Sequence, residues 1–355
     1  MNGFAKLALC SAGVAALTCV GTVVYYESPA GRGCASCHEM RGTFQLWSES
    51  SHRNVPCTRC HGDSWTADVS FHWNNMKRVA NHVRGALPER LQVGQRDVFS
   101  MVERCRACHQ AEFAQWRAGP HSATYRKIFL DESHNHKRLL MDDCLRCHGM
   151  HFQGGLRELI EPIDTRGPWR LKDAFMVDQP TIPCLTCHAI HRAGQPLPVY
   201  PLQLRPAKRQ EILRPSLGLF DRRAQMPVAA SWLSLPPVYR SGKLVKMSPD
   251  PRQALCYQCH SPQAGFEAGS GDDRTPAGVH EGLSCLACHG KHSQQSRASC
   301  ANCHPRLSNC GLDVETMDTT FKSRDSKHNV HWVGCPDCHP KGVPKKPGSR
   351  RAGFQ

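Results

Sequence analysis

The sequence predicts a mainly α-helical fold with extensive coil, almost no sheet and one N-terminal transmembrane helix. Three observations carry this prediction. Leu7 to Tyr26 is a run of 20 residues without a charge, and a helix needs about 20 apolar residues to cross the hydrocarbon core. The unit Cys-x-x-Cys-His recurs nine times in 355 residues and takes 18 of the 21 cysteines. Aromatic residues make up only 7% of the chain. A large side-chain core is therefore not expected, and bound apolar groups would fill the interior.

The expected anchor covers residues 1–29. A cleaved signal peptide is the competing reading. Against it, the apolar run is long for a signal sequence, and Val23-Val24-Tyr25-Tyr26-Glu27 lacks a small-residue cleavage site. Tyr25 and Tyr26 suit the membrane–water interface. Cys10 and Cys19 are nine residues apart, on opposite sides of a helix, so they are read as small residues facing lipid.

The repeated unit carries the chemistry. Cys-x-x-Cys-His is the attachment signature of c-type haem: each thiol adds to one vinyl group and the histidine coordinates the iron. The first five units are Cys34, Cys37 and His38; Cys57, Cys60 and His61; Cys105, Cys108 and His109; Cys144, Cys147 and His148; and Cys184, Cys187 and His188. The last four are Cys256, Cys259 and His260; Cys285, Cys288 and His289; Cys300, Cys303 and His304; and Cys335, Cys338 and His339. Zinc ribbons and redox proteins share Cys-x-x-Cys, but nine units that all end in His point to nine covalently attached haem c groups. The haem-free chain is expected to be largely unfolded, because burial of porphyrin surface drives folding.

The formal net charge is +15. Each haem brings two propionates, so the loaded protein falls to roughly +6 oxidised and roughly −3 reduced. The basic residues are read as partners of propionates, and nucleic acid is excluded as a partner.

Residues 30–191 hold five units and 256–340 hold four. The intervening residues 192–255 contain ten prolines, no Cys and no His. Proline breaks helices and central strands, so this stretch is expected to be an irregular linker, or a strap that wraps the haem bodies or docks a partner. Residues 341–355 read as a basic disordered tail. In residues 68–93, Trp73, Met76, Ala80, Val83 and Leu87 recur at three- and four-residue steps, with Lys77, Arg78 and Arg84 off that face. This is an amphipathic helix that either lies on the bilayer or packs on haem.

Twelve histidines remain outside the motifs: His52, His72, His82, His121, His134, His136, His151, His191, His280, His292, His328 and His331. Nine irons need at most nine distal ligands, so every iron can be closed by a second histidine. Bis-histidine haem is six-coordinate and of low potential, suited to moving electrons. In the runs Cys-Leu-Arg-Cys-His-Gly-Met-His151, Cys-Leu-Thr-Cys-His-Ala-Ile-His191 and Cys-Leu-Ala-Cys-His-Gly-Lys-His292 the two histidines are three apart. On a helix they point the same way, so the second should ligate a neighbouring haem. His52, His280 and His331, each four or five residues ahead of a motif, are the next candidates. Of His134 and His136, one is expected to be a ligand and one a bystander.

Residues 1 to about 125 resemble the membrane-anchored NapC/NirT (NrfH-like) multihaem cytochromes. The resemblance rests on the single anchor, on Cys34-Ala-Ser-Cys37-His38-Glu-Met40, on the 23-residue step to Cys57 and on the longer step to Cys105. It implies electron entry from membrane quinol at the first haem, with Met40 as an axial ligand there. It also implies a lysine and an acidic residue at the quinol, for which Lys77 and Asp68 are the nearest positions. Beyond residue 125 the chain looks only generically like multihaem cytochromes.

The expected function is a cytochrome of the bacterial inner membrane with its haems facing the periplasm, because c-type haem is attached on that side. Electrons would come from membrane quinol, menaquinol above all, or from a quinol-oxidising membrane complex. They would leave to a periplasmic redox protein or an outer-membrane acceptor. Whether the chain is itself a quinol dehydrogenase is left open. One alternative is an electron-wiring subunit without its own quinol site. The other is a reductase of nitrogen or sulfur oxyanions, which needs an open iron, whereas all nine motifs end in His.

Overall fold

The computed structural model describes residues 3–26, 31–62, 69–86, 92–199, 211–235, 237–240, 242–260 and 280–293, with 300, 301, 303, 306, 307, 313, 331, 340 and 341. Asp68, Leu87, His304, Cys310 and His328 lie outside the described residues, as does the side chain of His72. So do Cys335, Cys338 and His339 of the ninth motif, and the tail from 342.

The Gly3–Tyr26 helix has 24 residues, about 36 Å at 1.5 Å per residue. Its Ala5–Tyr25 part is long and apolar enough to cross a membrane. The Tyr25 hydroxyl lies 2.6 Å from the Ser36 hydroxyl, so the first motif sits directly at the end of this helix.

The chain divides into two compact units. The first comprises Met1–Leu197 and Arg214–Trp232 and carries the first five motifs. The second comprises Pro198–Leu213 and Leu233–Gln355 and carries the other four. Apart from Gly3–Tyr26, Val69–Val83 and Gln95–Arg106 the described helices are short, and the sheet among the described residues is four two-stranded ribbons.

The first unit has a side-chain core that its low aromatic content did not lead us to expect. Phe99, Tyr125, Phe129, Leu145, Leu156, Leu159, Ile160, Trp169 and Met176 cluster there with Leu140 and Phe152. Tyr125 and Phe129 are fully buried and stack at 5.7 Å between ring centres, with Phe99 edge-on to Tyr125 at 6.2 Å. Five of the 25 aromatic residues of the chain lie in this cluster.

Part of the proline-rich stretch pairs into strands. Gly218–Asp221 and Met226–Ala229 form an antiparallel hairpin with Gly218 opposite Ala229 and Asp221 opposite Met226. Asp221 Oδ1 accepts from the amides of Arg223 and Ala224 and so shapes the turn, a common use of Asp. Pro227 is tolerated because a two-stranded ribbon consists only of edges. A side chain at Gly218 would collide with the Val228 carbonyl oxygen, so only glycine fits. The hairpin is fastened to the fifth motif by Gly218 N–H to the Cys187 carbonyl (3.0 Å) and Ala189 N–H to the Ser216 carbonyl (2.7 Å).

Candidate haem centres

The motifs share a local geometry. In five of them the histidine N–H donates to the carbonyl of the first cysteine, at 2.9 Å for His109, His148 and His260, 3.1 Å for His188 and 2.8 Å for His289. The second cysteine often donates to the same carbonyl, at 3.2 Å for Cys108, Cys187 and Cys259 and 3.1 Å for Cys303. This single helical turn gathers two thiols and an imidazole around one loop, as attachment to one porphyrin requires. In the second unit the turns are set by helix caps. Asp250 accepts from the Arg252 amide at the start of the Pro251–Cys256 helix, and Ser284 accepts from the Leu286 amide at the start of Cys285–Cys288.

Neither thiol in any of the first eight motifs is spent on a disulfide. Cys37, Cys108 and Cys303 are exposed, whereas Cys60, Cys144, Cys147, Cys187, Cys259, Cys288 and Cys300 are half-buried. Burial pushes the Cys144 thiol up, and the nearby Asp143 and Cys147 add to that. The assignment of Cys335, Cys338 and His339 as a ninth attachment site rests on the motif alone.

Motifs meet in pairs through their first cysteines. The thiols of Cys34 and Cys57, of Cys105 and Cys184 and of Cys256 and Cys285 lie beside one another. The second and third motifs are tied as well, by Arg104 Nη1 donating to the Cys60 carbonyl at 2.9 Å. In the sixth and seventh, Asp250 Oδ2 accepts from the Ser284 hydroxyl at 2.9 Å, and Gln253 Oε1 from the Cys285 amide at 3.3 Å.

Histidines follow the same pattern. His61 and His191 have ring centres 5.8 Å apart, His52 and His109 6.1 Å, and His289 and His331 6.2 Å. His38 and His82 approach to 5.2 Å, with Glu39 Oε1 at 3.2 Å from His38 Nε2 and 2.5 Å from His82 Nδ1. The Glu39 carboxyl is held below its usual range by its own backbone amide first and by His82. Burial holds His61 down at about 4 and also lowers His52 and His191. Burial thus favours the neutral imidazole in all three, the form that ligates metal.

His151 tests whether the site suits haem iron. Its ring is buried and stacks on Phe220 at 4.1 Å. Burial pushes its pKa down to about 4, opposed by a hydrogen bond to the Leu185 carbonyl. Its Nε2 has no hydrogen-bond partner among the described residues. A carbonyl on one nitrogen and a buried lone pair on the other is the arrangement of a metal-ligating histidine, so the residue fits the group. Leu185 lies inside the fifth motif, so the histidine that follows the fourth motif reaches a neighbouring one.

Other candidates fall elsewhere. His136 Nδ1 lies 2.9 Å from the Thr165 carbonyl oxygen, and its ring packs edge-on to Trp169 at 4.9 Å, a packing role. His134 Nδ1 lies 3.1 Å from Asn135 Oδ1. His121, His280 and His292 are half-buried. Met40 is half-buried on the same short turn as His38. On the Val69–Val83 helix, Trp73, Met76, Val79 and Val83 are exposed, and the Lys77 ammonium sits 5.5 Å over the Trp73 ring. Sequence reasoning missed Glu39, Arg104 and the Asp250/Gln253/Ser284 set. Asp250 before Pro251 and Ser284 before Cys285 were readable as helix caps.

When bound, haem supplies reversible one-electron chemistry at iron. The chain supplies ligands, water exclusion and spacing. Residues 243–305 match the family model described as cytochrome c7 and related cytochrome c, and residues 104–164 match that of cytochrome c554 and c-prime. Neither match is to the NapC/NirT family. No curated protein and no solved structure matches the chain. The two matches and the attachment motifs within them identify a chain with the domains of multihaem cytochrome c, the class that transfers electrons.

Proposed function

We propose that this chain is a membrane-anchored cytochrome with nine haem c groups. It takes electrons from membrane quinol or a quinol-oxidising partner and passes them to a periplasmic redox protein or an outer-membrane acceptor. The observation that carries this reading is the meeting of motif histidines with second histidines, at 5.8 to 6.2 Å in three pairs. Irons closed on both faces relay electrons and leave no position for a substrate. Placement of the entry point at the first haem is supported by the Tyr25–Ser36 contact at the end of the apolar helix. It is also supported by the exposed apolar face of the nearby Val69–Val83 helix, which suits the membrane surface.

The test is reconstitution of the full chain into liposomes, followed by addition of a menaquinol analogue. Haem absorption should shift to the reduced form without any added protein. Reduction that appears only with a partner complex would replace quinol oxidation by the wiring-subunit reading, which the exposed face of Val69–Val83 also suits. Turnover of nitrite or tetrathionate by the purified chain would overturn the relay assignment.

A further inference from the structure

We propose that His191, His52 and His331 are the distal ligands of the irons held by His61, His109 and His289. This rests on the multihaem reading above and assigns ligands that residue counting leaves open. Two imidazole nitrogens each about 2 Å from a shared metal, with the ring centres roughly 1 Å further back, put those centres roughly 6 Å apart. The three pairs stand at 5.8, 6.1 and 6.2 Å.

Ring spacing alone would also fit loose aromatic packing. Two further facts favour ligation. Each pair joins one motif histidine to one histidine from outside any motif. In the first unit the pairs also agree with independent contacts among the second, third and fifth motifs. Arg104 holds the second motif's backbone against the third, and Cys105 meets Cys184 of the fifth. His191, three residues beyond His188, is thereby delivered to His61. His52, ahead of the second motif, is delivered to His109 of the third.

The assignment gives the wiring an order that differs from the order in the chain. The first and second motifs meet at Cys34 and Cys57, the second and third through Arg104, and the third and fifth at Cys105 and Cys184. The fourth motif meets that path at the fifth, through His151 and the Leu185 carbonyl. The second and third haems are pinned by histidines borrowed from other segments, so loss of one histidine acts on a haem remote in sequence.

The experiment uses the full-length haem-loaded protein in detergent. In His191→Ala and in His52→Ala, one low-spin ferric haem equivalent should be lost and one high-spin equivalent gained in electron paramagnetic resonance. The haem count by pyridine haemochrome should be unchanged, and added imidazole should restore the low-spin signal. His136→Ala, at the packing position, should keep its full low-spin complement. Unchanged low-spin haem in both test variants, or the same high-spin signal in His136→Ala, would overturn the assignment. If the alanine variants do not mature, His191→Met keeps six ligands and should raise the potential of one haem; an unaltered set of potentials would overturn it. A wild-type chain with no covalent haem on these motifs would instead refute the multihaem reading, which the haem count detects separately.

Discussion

Asp250 Oδ2 accepts a hydrogen bond from the Ser284 hydroxyl at 2.9 Å, and both side chains are buried. The same carboxylate takes two bonds from Arg252, Nε to Oδ1 at 2.9 Å and Nη2 to Oδ2 at 2.7 Å. It thus caps the helix that leads into the sixth motif and holds the residue that caps the seventh. Removing one member of a buried ion pair leaves the other charge uncompensated, at a cost of about 3–5 kcal/mol. Asp250→Ala should lose stability on that scale in denaturant titration. Ser284→Ala, which removes a cap and one bond, should lose about 1–2 kcal/mol. Equal small losses in both would show that the carboxylate is not the centre of this network.

The pH dependence of the same residue follows from its partners. Burial pushes the Asp250 carboxyl up, but the bonds from the Arg252 side chain and amide and from Ser284 more than offset it, so its pKa is lowered. A depressed carboxylate contributes stability above the unfolded value of about 4. That contribution is lost as pH falls through the depressed native value. Acid titration should therefore destabilise the wild-type second unit below about pH 4 more steeply than Asp250→Asn. Parallel curves would refute the linkage.

Tyr125 is fully buried, and its hydroxyl has no hydrogen-bond partner among the described residues. Burial pushes its pKa upward. An unsatisfied buried hydroxyl costs about 1–3 kcal/mol, so Tyr125→Phe should leave stability unchanged or increase it. Phe129→Ala, in the ring stacked on Tyr125, opens a cavity and should cost about 3–5 kcal/mol. A loss in Tyr125→Phe comparable to that of Phe129→Ala would mean that the hydroxyl has a partner in the loaded protein.

The attachment motifs and the apolar helix were legible in sequence because each is local. Haem attachment needs five adjacent residues, and a membrane span needs one uninterrupted run. The meeting of His61 with His191 was not legible, since 130 residues separate them and the path between them depends on how the third and fifth motifs pack. The hairpin at Gly218–Ala229 was hidden by composition. Ten prolines in residues 192–255 argued for coil, but one of them falls where a ribbon edge accepts it. The Asp221 turn and the glycine that clears the Val228 carbonyl were the local signs of pairing. The buried core was hidden because its members, from Phe99 to Met176, are scattered in sequence and come together only in the fold.

The first haem separates the resemblance from the geometry. The likeness to NapC/NirT cytochromes implies Met40 as an axial ligand, while the ring that approaches His38 belongs to His82 on the Val69–Val83 helix. Glu39 meets both imidazoles, and the ligand atoms of the three residues lie within 4.8 Å of one another. Histidine on both faces gives a lower potential than histidine with methionine. If His82 closes this iron, His82→Ala should turn one haem high-spin and Met40→Ala should leave every potential in place. If methionine is the ligand, the Met40 variant should show the spin change and the His82 variant should not. A redox titration of both variants followed by electron paramagnetic resonance distinguishes these outcomes. Because the Tyr25–Ser36 contact sets this motif at the end of the apolar helix, the result also fixes the potential of the haem held beside that helix.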